Sequence, residues 1–80
     1  MRVEILGTGC AKCRLLEKRV EEVVREMERE DIEIVKVEDV AEIMERGIMM
    51  TPGLAIDGEI KIAGRVPSKE EIKELLEGKR

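Results

Sequence analysis

No phenylalanine, tyrosine or tryptophan occurs in this 80-residue sequence. Its core must therefore be built from aliphatic side chains, and stacking on nucleobases is closed to it. Histidine, asparagine and glutamine are absent too, and serine occurs once. With 42% of the residues charged, this amide-poor composition matches that of hyperthermophile proteins. A strongly basic segment is also missing: 15 Lys and Arg stand against 19 Asp and Glu, which argues against nucleic acid and anionic membranes as partners. No apolar run approaches the roughly eighteen residues of a membrane span. The start, Met1-Arg2-Val3-Glu4-Ile5, passes into charge too soon for a signal peptide, so a cytoplasmic location is expected. The length suits one domain over residues 1–80, near the lower limit for a core unaided by disulfides or metal, and a monomer is the simplest expectation.

What is present reads as alternating strands and helices. Arg2 to Leu6 is β-rich and alternating, and Gly7-Thr8-Gly9 follows as a loop. From Ala11 to about Glu30, Leu16, Val20, Val23, Val24 and Met27 recur at helical spacing among Glu, Lys and Arg. Ile32 to Val37 is a second β-branched run; Asp39 can then cap a short helix over Val40 to Arg46 that Gly47 ends. Gly53 to Ile56, the dipeptide Asp57-Gly58, and Glu59 to Ala63 form a strong signal for a hairpin with a primed turn. Ser68-Lys69-Glu70-Glu71 is a capping box opening a last helix, whose Ile72, Leu75 and Leu76 face inward. The order β-α-β-α-β-β-α predicts an α/β domain on a four-stranded mixed sheet.

The two cysteines, Cys10 and Cys13, close too short a loop to constrain the unfolded chain, so their spacing asks for a chemical explanation. Residues three apart on a helix share a face within disulfide reach. Cys10 falls at the helix N-terminus, where unpaired N–H groups and the macrodipole favour a thiolate, which makes it the expected nucleophile. Cys13, one turn further in and followed by Leu15 and Leu16, is expected to be less exposed and to resolve a mixed disulfide by attacking the Cys10 sulfur. Lys12 either adds a positive charge that stabilises that thiolate or is simply a solvated lysine. Half of a zinc site shared between two chains, or a pair of inert buried thiols, are the competing readings. Zinc wants four ligands, and the sequence has no further Cys and no His.

Gly9-Cys10-Ala11-Lys12-Cys13, the element order, and Thr51-Pro52 before a strand together resemble the thioredoxin superfamily. More narrowly, the chain is similar to small archaeal and bacterial thioredoxin/glutaredoxin-like proteins in which strand-Gly-Thr-Gly-Cys-X-Lys-Cys, Met-Met-Thr-Pro and Gly-Arg-Val-Pro-Ser segments recur. The resemblance spans nearly the whole chain. It implies a minimal thioredoxin fold, with the sheet flanked by three helices. It further implies a cis Thr51-Pro52 bond lying against the cysteine pair, where the missing proline N–H leaves the preceding backbone free to pair with an extended substrate segment. Gly64-Arg65-Val66-Pro67 resembles the loop that lies near the active face, where Arg65 either meets an anionic substrate group or is solvated. Of Met49 and Met50, one is expected to fill the core and the other to form an apolar rim.

Larger thioredoxins usually carry a Trp before the first cysteine, Gly-Pro between the two, and a buried acid near the second. Here Gly9, Ala11-Lys12 and, as the only candidate acid on the first strand, Glu4 stand in those places. Nothing identifies a glutathione-binding surface of the glutaredoxin kind. The resemblance therefore implies a thiol–disulfide oxidoreductase acting on disulfide-containing proteins, without a bound cofactor or metal, and recharged by a thioredoxin-reductase-like electron donor. A glutathione-linked glutaredoxin is the alternative activity, and a metal-binding module pooling Cys10 and Cys13 from two chains is the alternative class.

Overall fold

The structure is a computed structural model that describes residues 1–48 and 50–78. Its elements run β1 (Arg2–Leu6), α1 (Ala11–Met27), β2 (Glu33–Val37), α2 (Val40–Glu45), β3 (Gly53–Ile56), β4 (Glu59–Ala63) and α3 (Lys69–Leu76). The sheet order is β2-β1-β3-β4; β1 pairs parallel with β2 and antiparallel with β3, and β3 pairs antiparallel with β4. The element order thus gives the four-stranded mixed sheet expected of it, and the arrangement is the minimal thioredoxin fold that the resemblance implies.

Alternation along the strands divides the core into two faces. Val3 and Ile5 of β1, Leu54 and Ile56 of β3 and Ile62 of β4 pack with Leu16, Val20 and Val23 of α1 and Ile72, Leu75 and Leu76 of α3. On the other face Leu6, Val37 and Ala55 meet Ile43 of α2 and Ile48. Helices α1 and α3 are further tied by polar contacts. Arg19 donates to the Pro67 carbonyl at 2.9 Å, and Lys69 lies between Glu22 and Glu26.

Local signals explain the boundaries. Asp57 and Gly58 both adopt positive φ, 49° and 85°, as the two-residue primed turn requires. The Asp39 carboxylate accepts from the Ala41 and Glu42 N–H groups, and the Ser68 hydroxyl accepts from Glu71 N–H; each such cap is worth about 1 kcal/mol. Helix α1 stops three residues earlier than the charge pattern suggests. Glu28 turns left-handed at φ 52°, and Arg29 leaves the helix to bind Asp31 at 2.6 Å and the Leu76 carbonyl at 2.9 Å. The last apolar contact of the stripe is Met27, so nothing beyond it rewards continuing the helix.

Candidate functional site

The register of the sheet builds the site. Leu6 stands opposite Gly53 in the antiparallel pair and opposite Val37 in the parallel one. Gly7 therefore emerges beside Pro52, its N–H anchored on the Val37 carbonyl at 3.0 Å. Gly53 in turn faces Ala63, which brings Gly64 to Pro52, where its N–H donates to the Pro52 carbonyl at 2.9 Å. The Thr51–Pro52 peptide bond is cis. Into this corner comes the first turn of α1.

Cys10 is the N-cap of α1, with extended backbone, and Gly9 before it holds φ 87°. Gly9 thus supplies a left-handed conformation that a side chain would strain. Cys10 is exposed and Cys13 buried, and their sulfurs lie 2.8 Å apart. The Cys13 thiol and the backbone N–H groups of Cys13 and Lys12 hold the Cys10 thiol below its ordinary value. The first turn of α1 carries no acidic residue to oppose that. For Cys13 the direction is opposite: burial pushes the thiol up, and the Cys10 sulfur adds to the effect. One thiol is thus shifted toward its thiolate and the other toward its protonated form.

The residue that lets the two meet is Gly7. A Cβ there would lie 2.3 Å from the Cys13 sulfur, 3.0 Å from its Cβ and 3.9 Å from the Pro52 Cα. The Cys13 side chain thus occupies the space a side chain at position 7 would need, with Pro52 bordering the same space. The sequence shows Gly7 only as the first residue of a turn. Its positional requirement comes from tertiary contact.

Of the residues singled out by sequence, the structure brings together Cys10, Cys13 and, across Gly7, Pro52. Lys12 is exposed on the first turn of α1, and its contribution at Cys10 is made by its backbone N–H. Half-buried Thr51 lines a shallow hollow of about 290 Å³ with Thr8, Val40, Ile43, Met44 and Ile48. Val40 and Met44 on α2 and Met50 beside Thr51 are more than half exposed, so Met50 forms rim; Met49 lies outside the described residues.

Two expectations are corrected. Arg65 is exposed, as a solvated arginine is, but it is not free to meet a substrate anion, because both of its terminal nitrogens bind the Glu71 carboxylate in the first turn of α3, at 2.8 and 2.5 Å. Glu4 is buried, at 3% exposure, but strand alternation puts it with Leu6 on the α2 face, away from the α1 face, where it is paired with Arg46. It therefore does not stand in for an acid beneath Cys13.

Cys13 instead opens onto a small cleft of about 20 Å³, lined by Ile5, Gly7, Arg14, Glu17, Lys36 and Glu38. Lys36 reaches across from β2 to Glu17 on α1 at 2.6 Å, and this ion pair holds the ammonium above its ordinary value. Sequence reading passes over Glu17, although its four-residue spacing from Cys13 places both on one helical face. Among the described residues no group of three or more His, Cys, Asp or Glu is arranged to hold a metal ion, and no helix is long and apolar enough to cross a membrane.

Comparison with known proteins agrees with this geometry. The family described as Thioredoxin domain matches residues 1–77. A thioredoxin from Methanothermobacter thermautotrophicus is 51% identical over 76 residues, covering 95% of this chain and 97% of the relative. A thioredoxin from Methanocaldococcus jannaschii is 48% identical over 81 residues, covering 96% of this chain and 92% of the relative.

Proposed function

The chain belongs to the thioredoxin domain family, and on that premise we propose that it is a thiol–disulfide oxidoreductase that reduces disulfides in proteins. One observation carries the reading: an exposed thiol at a helix N-cap, held low, sits 2.8 Å from a buried thiol held high. Cys10 as thiolate attacks one sulfur of the substrate disulfide, forms the mixed disulfide and expels the first substrate thiolate. Cys13, once deprotonated, attacks the Cys10 sulfur; the Cys10–Cys13 disulfide forms as the second substrate thiolate leaves. A thioredoxin-reductase-like donor returns two electrons and restores both thiols.

Pro52 stands across Gly7 from Cys13, and an extended substrate segment lies along Thr51 beside it. The apolar hollow running from Thr8 and Thr51 to Val40 and Met44 continues the reaction centre outward and suits an apolar side chain of that segment. Such a surface favours a protein disulfide over glutathione, and relatives that are thioredoxins do not favour the glutaredoxin alternative. Lys12, exposed beside Cys10, steers acidic partners. A reductant of this kind suits a reducing compartment such as the cytoplasm.

The test is reduction of a protein disulfide by the reduced chain and by each single cysteine variant. Cys10→Ser is expected to lose activity by on the order of a thousandfold or more. Cys13→Ser is expected to trap a covalent mixed disulfide through Cys10. Activity retained by both variants would remove the proposal.

A further inference from the structure

Resolution of the mixed disulfide needs the Cys13 proton to go somewhere. Burial and the adjoining Cys10 sulfur both hold that proton on, and Cys13 is 4% exposed, so bulk solvent has poor access to it. The charged groups lining the cleft that opens onto its side chain are Arg14 and Glu17 of α1, Lys36 of β2 and Glu38 just beyond β2. Cys10 adjoins on the other side at 2.8 Å. Of these, Arg14, Glu38 and Lys36 are exposed, whereas Glu17 is half-buried and fixed by an ion pair to the neighbouring strand. The cleft's roughly 20 Å³ is room for about one water molecule, in a setting polar enough to hold it.

We propose that Glu17, oriented by Lys36, accepts the Cys13 proton through one water in this cleft during the resolving step. The inference rests on Cys10 being the attacking thiol and Cys13 the resolving one. The step balances: the Cys13 S–H bond breaks, its proton passes through the water to a Glu17 oxygen, and the Cys13 electron pair forms the bond to the Cys10 sulfur. The Cys10–substrate S–S bond breaks, and its electron pair leaves on the substrate thiolate. Glu17 then gives its proton to solvent or to the departing thiolate. In the reverse direction, when the Cys10–Cys13 disulfide is opened at Cys13, protonated Glu17 supplies the proton that Cys13 regains. Lys36 is a positioning residue, since it touches Glu17 and not the sulfur.

The chemistry separates this role from a merely electrostatic one. A fixed anion beside Cys13 disfavours its thiolate, so removing such an anion would speed resolution. Removing a proton acceptor slows it, and leaves a rate that climbs with hydroxide.

A single stopped-flow experiment on the reduced full chain reads both thiols. Reaction with an aromatic disulfide that releases the coloured thiolate 5-thio-2-nitrobenzoate gives a bimolecular first phase from Cys10 and a unimolecular second phase from Cys13. For the native chain, the second phase is expected to vary little between about pH 6 and pH 8. Glu17→Gln is expected to slow that phase about tenfold near pH 7, to make it rise steeply with pH, and to leave the first phase within about twofold. Lys36→Gln is expected to slow the second phase by a smaller factor, about threefold, and to add nothing when combined with Glu17→Gln. A Glu17→Gln second phase that is unchanged or faster, or both phases slowing together, would overturn the assignment. Absence of the bimolecular first phase in the native chain would instead remove the underlying reading of Cys10.

Discussion

The two faces of the sheet are built differently, and the site straddles them. On one face two helices cover a continuous aliphatic core, and α1 is buried along Cys13, Leu16, Val20 and Val23. On the other, six-residue α2 buries only Ile43, leaves Val40 and Met44 at 57% and 68% exposure, and brings its exposed C-cap Arg46 to the buried Glu4. The cysteine helix is rooted in the thick face, which fixes the sulfur pair. Thr51 and the exposed Val40 and Met44 belong to the thin face, where the hollow they line opens to solvent. Geometry is held on one side and access is offered on the other.

The comparison breaks most visibly at the junction of the two faces. Gly7→Ala forces a methyl into contact with the Cys13 sulfur. It is expected to destabilise the chain by about 1–3 kcal/mol, as overpacking does, and to slow closure of the Cys10–Cys13 disulfide by at least about tenfold. Denaturant unfolding and the unimolecular phase of thiol exchange measure the two effects separately.

Next in size is a contrast between faces. Leu16→Ala, at a fully buried position of the thick face, is expected to cost about 2–5 kcal/mol. Met44→Ser on the thin face is expected to change stability by no more than about 0.5 kcal/mol, while raising the KM for a protein disulfide severalfold. Equal stability losses from the two variants would erase the distinction drawn here.

The smallest expected effect lies far from the site, where Arg29 holds the exposed Asp31 carboxyl down to about 2. A carboxyl lowered by folding adds stability above its unfolded value, near 3.9, and loses that contribution as pH falls through about 2. NMR titration of Asp31 should show this low midpoint. Arg29→Gln should return it toward the ordinary range and flatten the dependence of stability on pH in the same window.

How much of this is legible in the sequence follows from how local each signal is. The hairpin at Asp57-Gly58, the Asp39 and Ser68 caps and the helical stripe of Leu16, Val20 and Val23 depend on neighbours in the chain, and all lie where the pattern puts them. The cysteine pair is likewise local. Gly7 is constrained by Cys13 and Pro52, Arg65 by Glu71, Glu4 by Arg46, and Glu17 by Lys36. Each of those constraints depends on strand register or helix docking, which spacing along the chain does not express. Glu4 is the instructive case: its residue type and strand suggested an acid for the site, and alternation by one residue put it on the opposite face.

The central claim is that position alone divides the labour of two chemically identical thiols. Site-resolved alkylation of the reduced chain as a function of pH, with each cysteine followed separately by mass spectrometry, tests it most directly. Cys10 should react first, with a midpoint below that of a free thiol near 8.5, and Cys13 should react slowly with a midpoint above it. Alkylation of Cys13 before Cys10, or one shared midpoint at the free-thiol value, would contradict the account.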